Sequence, residues 1–150
     1  MSIGIVLIVG SIQLITPMRR FIARAELALL AATIRTEQQK ARITGIERTV
    51  QFVQNNTGYT TQTSTHHLQP GITFGFPPGS YGPPSKEQNL ITKPITFKNN
   101  QLVCHRTGIV HPGTIYLSDQ RNKLFYALTA SVSRHTFLRS YYYADHWVPL

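Results

Sequence analysis

The chain has 150 residues, which allows one domain of ordinary size with an appendage and nothing larger. Fifteen Lys and Arg residues against six Asp and Glu give a formal net charge of +9, so an anionic partner has to be considered beside a basic surface that only maintains solubility. Charged residues make up only 14% of the chain while Thr, Gln, Asn, Ser and Tyr are frequent, a mixture that favours an extracytoplasmic β-rich protein over a cytoplasmic enzyme.

The first predicted element is an apolar segment, Ile3 to Ile15, that only Ser11 and Gln13 interrupt. About 13 residues are fewer than the roughly 20 of a membrane-spanning helix, so a buried core helix and an incomplete span are both open. A signal peptide has basic residues before its apolar stretch, whereas here they follow it, so we expect the segment to be retained. We predict a membrane anchor with the positions Ile3, Ile5, Val6, Leu7, Ile8, Val9, Ile12, Leu14, Ile15 and Pro17.

Helical periodicity continues after Pro17 and ends at Gly45. Apolar residues recur at intervals of three and four, which predicts one helical stripe. The stripe consists of Met18, Phe21, Ile22, Ala25, Ala28, Leu29 and Ala32. Glu26 and Glu37 fall off this stripe, so we place them on the solvent side. Residues 3–44 are therefore predicted to form one helix of about 60 Å, kinked at the proline and closed by a glycine cap.

Beyond the helix the periodicity changes to the alternation that is typical of strands. Arg48–Gln54 and Tyr59–Thr63 flank a turn-forming Asn-Asn-Thr-Gly sequence and predict a hairpin. Asp119–Asn122 predicts a second hairpin turn, and the proline-rich residues 77–84 predict an exposed loop. The further strand candidates are Gly71–Phe76, Pro94–Phe97, Gln101–His105, Thr114–Ser118, Lys123–Ala130 and His135–Tyr143.

These elements predict an α+β fold class: a long N-terminal hydrophobic helix followed by a small antiparallel β-sheet domain. We place the helix in residues 1–45 and the β-rich globular domain in residues 46–150. No internal repeat calls for a further domain.

A basic and aromatic cluster is predicted near the C-terminus. Its candidate nucleic-acid-binding residues are Arg121, Lys123, Arg134 and Arg139, with Tyr141–Tyr143 beyond them. Lys and Arg neutralise phosphates and tyrosine rings stack on bases, which is the usual arrangement for single-strand binding. The alternative is a solvated sheet edge whose charges prevent aggregation.

Motifs for enzymatic chemistry are not found in the sequence. The six histidines lack HxxxH and HExxH spacing, the single Cys104 has no second thiol to form a CxxC site, and no GxSxG turn occurs. We therefore predict a protein that is not an enzyme, with no metal, no cofactor and no small-molecule substrate. Cys104 is expected to be a small core residue of a strand.

Several segments, taken in order, resemble one family. The segments are Glu37–Gly45 at the helix end, Arg48–Val53, Asn56–Tyr59, Pro70–Phe74, Ile95–Lys98, Thr107–Val110 and Pro112–Ser118. Together with the apolar first half of the helix, they resemble the GspH/FimT family of minor pseudopilins, which belong to type II secretion systems and type IV pili. The similarity covers nearly the whole chain, and the order of the segments is its main support.

The resemblance implies a single-pass protein of the bacterial inner membrane with its globular domain in the periplasm. The helix would pack with other pilin or pseudopilin subunits, and the subunit would help to initiate or cap a filament for protein secretion. The family's basic leader, methylated Phe and early Glu are not visible before Pro17, which fits either a start upstream of Met1 or a degenerate subunit that is not processed normally. Secretion, pilus and competence systems are not distinguished by the sequence.

The resemblance also implies an alternative, a DNA-binding minor pilin for natural competence. Some family members carry a C-terminal Gly-Arg-x-Arg motif that is linked to DNA uptake. The corresponding stretch here is Ser133-Arg134-His135-Thr136, which retains only the first arginine.

Overall fold

The fold consists of one N-terminal helix and two antiparallel sheets, so the predicted α+β class is confirmed. The computed structural model describes residues 2–131 and 137–150, with side chains from residue 17 to 131 and from 138 to 150. The elements are α1 (Ser2–Thr44), β1 (Arg48–Phe52), β2 (Gly58–Thr60), β3 (Thr65–His67), β4 (Thr73–Phe74), a 3-10 turn (Lys98–Asn100), β5 (Gln101–Cys104), β6 (Gly113–Asp119), β7 (Leu124–Ser131), β8 (Phe137–Tyr143) and β9 (Trp147–Pro149).

The helix agrees closely with its predicted range and contains Pro17 in its interior. It ends at Gly45, whose φ of 66° places it in the left-handed region that glycine adopts without strain. The Gly45 N–H donates to the carbonyl of Ala41 at 2.9 Å, so the predicted glycine cap is confirmed.

The predicted membrane anchor falls on residues whose side chains lie outside the described part of the chain. This holds for Ile3, Ile5, Val6, Leu7, Ile8, Val9, Ile12, Leu14 and Ile15. Among the residues that the structure describes, no helix combines the length and the apolar character that crossing a membrane requires.

The first sheet has the strand order β3-β2-β1-β5, and the second has the order β4-β6-β7-β8-β9. The predicted first hairpin is confirmed, because β1 pairs antiparallel with β2 and Phe52 lies opposite Tyr59. The second hairpin joins β6 to β7, and its turn is closed by the Asp119 carboxylate, which accepts from the backbone N–H of Asn122 at 3.2 Å. The strand predicted at Pro94–Phe97 is wrong, since only Ile95 there forms a bridge, to Ile115.

Two short strands were not predicted from the sequence. The first, β3, completes one edge of its sheet beside β2. The second, β9, is fixed through Trp147, whose side chain is buried and whose Nε1–H donates to the carbonyl of Tyr81 at 3.0 Å. The Trp147 ring packs with Phe125 and Tyr116 in a small cluster beside the second sheet. This cluster holds β9 next to β8.

The main core lies between α1 and the two sheets. The helix contacts β1, β5, β6 and β7 through small and aliphatic side chains that are almost fully buried. These residues are Ala23, Leu27, Leu30, Ala31, Ile34 and Ala41. They form a second apolar stripe at helical spacing, which is different from the predicted stripe that begins at Met18.

The stripe predicted from the sequence lies on the opposite side of the helix from the core. Phe21 is 74% exposed, Met18 is 62% exposed and Leu29 is 45% exposed, while Ile22 is partly packed against the core. At about 100° per residue, positions 21, 25, 28, 29 and 32 lie roughly opposite the buried positions. We call Met18, Phe21, Ala25, Ala28, Leu29 and Ala32 the outer helix face.

The solvent-side placement of Glu26 and Glu37 is wrong, because both are buried, at 5% and 2% exposure. Each carboxylate has a partner from the β-domain. The Glu26 Oε2 lies 2.7 Å from His66 Nε2, and the Glu37 Oε2 accepts from Arg48 Nε at 2.8 Å. A third pair, Arg19 Nε to Asp119 Oδ2 at 2.8 Å, joins the helix to the end of β6. These pairs explain why charged residues are tolerated at the interface between helix and sheets.

Replacing Glu37 by alanine is expected to lower the free energy of unfolding by about 2 kcal/mol, since it leaves the largely buried Arg48 guanidinium without its carboxylate. The measurement is the urea midpoint of the full chain. Glu47→Ala is the matched control, because Glu47 is exposed and its loss should cost less than about 0.5 kcal/mol. Equal losses for both variants would contradict a special role of the buried pair.

Cys104 lies in β5 with no exposed surface, so its predicted place in the core of a strand is confirmed. Burial, and secondarily the charge of Glu37, raises the pKa of the Cys104 thiol from 9.0 to about 12. Burial also raises the pKa of Tyr116 to about 12. Both groups therefore stay protonated in the folded protein at pH values where the unfolded chain ionises.

We expect the Cys104 thiol to resist alkylation by iodoacetamide in the folded protein at pH 8.5 and to react once urea unfolds the chain, because the thiolate is the reactive form. The pKa of the Cys104 thiol is higher in the folded than in the unfolded protein. The thiol therefore leaves the free energy of unfolding unchanged below pH 9 and lowers it as the pH rises from 9 towards 12. Mass spectrometry of the alkylated chain and urea midpoints between pH 8 and pH 11 measure the two effects. Rapid labelling without urea would contradict the buried position.

A basic groove between the helix and the last strands

A groove with a volume of 1030 Å³ runs between α1 and the strands β8 and β9. Helix residues form one wall, and residues of the last two strands form the other. It is lined by Pro17, Arg20, Phe21, Arg24, Ala25, Leu27, Ala28, Arg35, Leu138, Arg139, Ser140, Tyr141, Pro149 and Leu150.

Three arginines of the helix share the groove wall. Arg20 and Arg24 are four residues apart, and Arg35 follows eleven residues later, spacings that return to one face of a helix with about 3.6 residues per turn. Arg139 lies on β8, opposite Thr129 of β7, and contributes to the other wall. The groove therefore has arginine on both sides.

In the described part of the chain, no acidic side chain forms an ion pair with an arginine of the groove. Among the described residues, the ion pairs of arginine involve Arg19 and Arg48, and no carboxylate lies within ion-pair distance of Arg20, Arg24 or Arg139. Among the described residues, no carboxylate lies within ion-pair distance of Arg35 either. Burial raises the pKa of Tyr126, and the positive charges of Arg24 and Arg20 oppose this rise, so their field reaches into the second sheet. The groove is therefore electropositive and open to an anion.

A second cavity of 540 Å³ adjoins the groove and shares Arg20 and Arg24 with it. Lys123, Tyr142 and Tyr143 line this extension. Both tyrosines are partly exposed, and the Tyr143 ring also packs against Phe125 and Trp147. The combined surface, which we call the basic groove, offers cations for phosphate groups and aromatic rings for bases.

The four candidate nucleic-acid-binding residues lie in different places in the structure. Lys123 and Arg139 lie at the basic groove, as a single cluster requires. Arg121 lies in the turn between β6 and β7 and lines neither cavity. Arg134 lies outside the described residues. The prediction did not include Arg20, Arg24 and Arg35. Their spacing in the sequence places them on one face of the helix, and this was the signal that could have identified them.

In the described part of the chain, no group of three or more His, Cys, Asp or Glu side chains is placed to hold a metal ion. The basic groove presents guanidinium, ammonium and phenol groups, which are suited to binding an anion. No protein-family model, curated protein or solved structure matches this chain. Its function is inferred below from the basic groove, the outer helix face and the resemblance of its segments.

Proposed function

We propose that this protein is a minor pseudopilin, a structural subunit of a type II secretion pseudopilus or a type IV pilus that helps to initiate or cap filament assembly for protein secretion. Residues 1–45 anchor it in the bacterial inner membrane by a single pass and form part of the filament core. Residues 46–150 are the periplasmic domain. The proposal assigns no enzymatic activity, no cofactor and no small-molecule substrate, and its partners are other pilin or pseudopilin subunits and the inner membrane.

The outer helix face is the observation that supports this proposal most strongly. The helix buries one stripe against the β-domain and leaves a second apolar stripe, including Phe21 and Leu29, exposed on the opposite side. A contiguous exposed apolar surface marks an interaction site in a folded protein. Ala25, Ala28 and Ala32 lie on this face, and small residues let a neighbouring helix approach closely.

The attachment of the helix to the β-domain also fits a filament subunit. Three ion pairs, Arg19 with Asp119, Glu26 with His66 and Glu37 with Arg48, join the helix to β6, β3 and β1. The helix residues of these pairs are spread from Arg19 to Glu37, along the part of the helix that packs against the β-domain. A helix held in a filament core would therefore fix the orientation in which the domain is displayed.

Deleting residues 3–15 tests the anchor. We expect the deletion to move the protein from the membrane fraction to the soluble fraction, because it removes the apolar segment. Replacing the same residues with an unrelated run of leucine and alanine is the control and should keep the protein in the membrane. Membrane retention of the deletion variant would refute the proposed anchor.

A second candidate function, a DNA-binding minor pilin for natural competence, is favoured by the basic groove. Its arginines have no acidic partners among the described residues, and Tyr142 and Tyr143 lie beside them. Four or five cations in one groove are enough for salt-sensitive phosphate contacts. The direct test is the loss of DNA affinity when groove arginines are replaced.

A further inference from the structure

A pair of histidines lies at the end of β5, away from the basic groove. The turn that follows β5 is tight: the His105 N–H donates to the carbonyl of Ile109 at 2.9 Å, and the Gly108 N–H donates to that of His105 at 2.7 Å. Cys104 forms a bridge with Val110, which brings the two arms of the turn together. As a result, His105 and His111 lie side by side although they are six positions apart in the sequence.

The two imidazole rings present the same atom to each other. Their Nε2 atoms are 3.0 Å apart, and the rings are nearly perpendicular, at 86°. In a tetrahedral zinc site with Zn–N distances of about 2.0 to 2.1 Å, two ligand nitrogens are about 3.3 Å apart. In a square-planar copper site, neighbouring nitrogens at similar bond lengths are about 2.9 Å apart. The observed separation lies between these two values.

A carboxylate stands behind the first histidine. The Glu47 Oε2 lies 3.6 Å from His105 Nδ1, the ring nitrogen that points away from His111. At that distance the carboxylate is a charge partner of the ring and not a hydrogen-bond acceptor, on the side where a second group behind a metal-ligating histidine is usually found. Without an ion, one Nε2–H···Nε2 hydrogen bond accounts for the distance between the rings.

The site is open to solvent. His111 is exposed and the His105 side chain is 38% exposed, so an ion can enter with water molecules that fill its remaining positions. Arg106, which shares a surface cavity with Glu47 and His105, adds a positive charge close by. That charge weakens cation binding without blocking the nitrogen atoms.

We propose that His105 and His111 form a binding site for one divalent transition-metal ion that prefers imidazole, such as Zn²⁺ or Cu²⁺. Both Nε2 atoms are ligands, Glu47 orients the first ring, and water completes the coordination. Glu47 lies in the connection between α1 and β1, so its contact with His105 places the site beside that connection. The site does not depend on the pseudopilin proposal.

The test is a titration of the full chain with Zn²⁺ by calorimetry and with Cu²⁺ by electron paramagnetic resonance. We expect one ion per chain and a hyperfine pattern from two nitrogens. His105→Ala and His111→Ala should each lower the affinity at least tenfold, and Glu47→Gln should lower it less than either, as expected for a residue outside the coordination shell. His67→Ala and His146→Ala replace exposed histidines elsewhere and should leave the affinity unchanged.

Three results would overturn the metal site: no binding by the unaltered chain, binding that survives both His105→Ala and His111→Ala, or binding lost equally in the His67→Ala control. Circular dichroism and melting of each variant without metal separate loss of ligands from loss of fold. We expect no change there, since both histidines lie at the surface. An unfolded His105 variant leaves His111→Ala to decide the question.

Discussion

Replacing Phe21 and Leu29 together with aspartate is expected to abolish incorporation of the protein into a filament while the chain stays folded. Both side chains are exposed on the outer helix face, so the isolated protein gains two solvated charges there. In the proposed filament the same positions would face another helix, where each unpaired buried charge costs several kcal/mol. Assembly should therefore fall more than about 100-fold, which corresponds to about 2.8 kcal/mol.

The measurement is the amount of this subunit in filament preparations, together with protein secretion, in a bacterium that expresses the chain with its own filament system. Leu90→Asp with Ile109→Asp is the matched control, because it places two charges at exposed apolar residues outside the helix. The control should assemble normally. Normal assembly of the Phe21 and Leu29 variant, or equal losses in both variants, would refute a role of the outer helix face in assembly.

Reversing the charge of Arg24 and Arg139 is expected to weaken DNA binding by about 10- to 100-fold at low salt. The two residues stand on opposite walls of the basic groove, and each neutralises about one phosphate in this account. The slope of log affinity against log salt concentration should decrease by about two, one for each lost phosphate contact. Electrophoretic mobility shifts with single-stranded DNA at several salt concentrations measure both quantities.

Arg121→Glu with Lys98→Glu is the control for the DNA experiment, since it changes the net charge by the same amount away from the basic groove. We expect this control to lose much less affinity. Equal losses would show that only overall charge matters, and absence of a shift at low salt would exclude the competence function. Of the two assembly positions, Phe21 also lines the basic groove, whereas Leu29 does not, so Leu29 is the position that tests filament assembly independently of DNA binding.

Local sequence patterns were sufficient for the elements whose neighbours in the chain are also their neighbours in space. The helix with its glycine cap and the two hairpins at Asn56 and Asp119 depend on periodicity and turn chemistry that a single sequence displays. The short strands β3 and β9 depend on partners supplied by the rest of the fold. Nothing in a three-residue segment such as Thr65–His67 predicts pairing by itself.

The orientation of the helix shows a further limit of sequence patterns. The helix carries two apolar stripes, and periodicity identifies a stripe without indicating whether it meets the domain core or another molecule. The prediction placed Glu26 and Glu37 on the solvent side because they fall off the recognised stripe, whereas His66 and Arg48 compensate their charges in the interior. A buried charge is predictable only when its partner is known.

The basic groove was predicted in part. Lys123 and Arg139 follow from the basic and aromatic composition near the C-terminus, but Arg20, Arg24 and Arg35 join them only because the fold places α1 across the groove from β8 and β9. The two walls of the groove are more than 100 residues apart in sequence. The histidine pair was missed for a related reason, since a tight turn brings together His105 and His111, which are six positions apart in the sequence.

The most direct test of the central claim is photo-crosslinking in the membrane from a benzoylphenylalanine placed at position 21 of the full chain. We expect a crosslink to the N-terminal helix of another pilin-like subunit, identified by mass spectrometry of the joined peptides. The same group placed at Leu90, which is exposed on the β-domain, should not give this product. No crosslink from position 21, or the same products from both positions, would contradict the assignment of the outer helix face to the filament core.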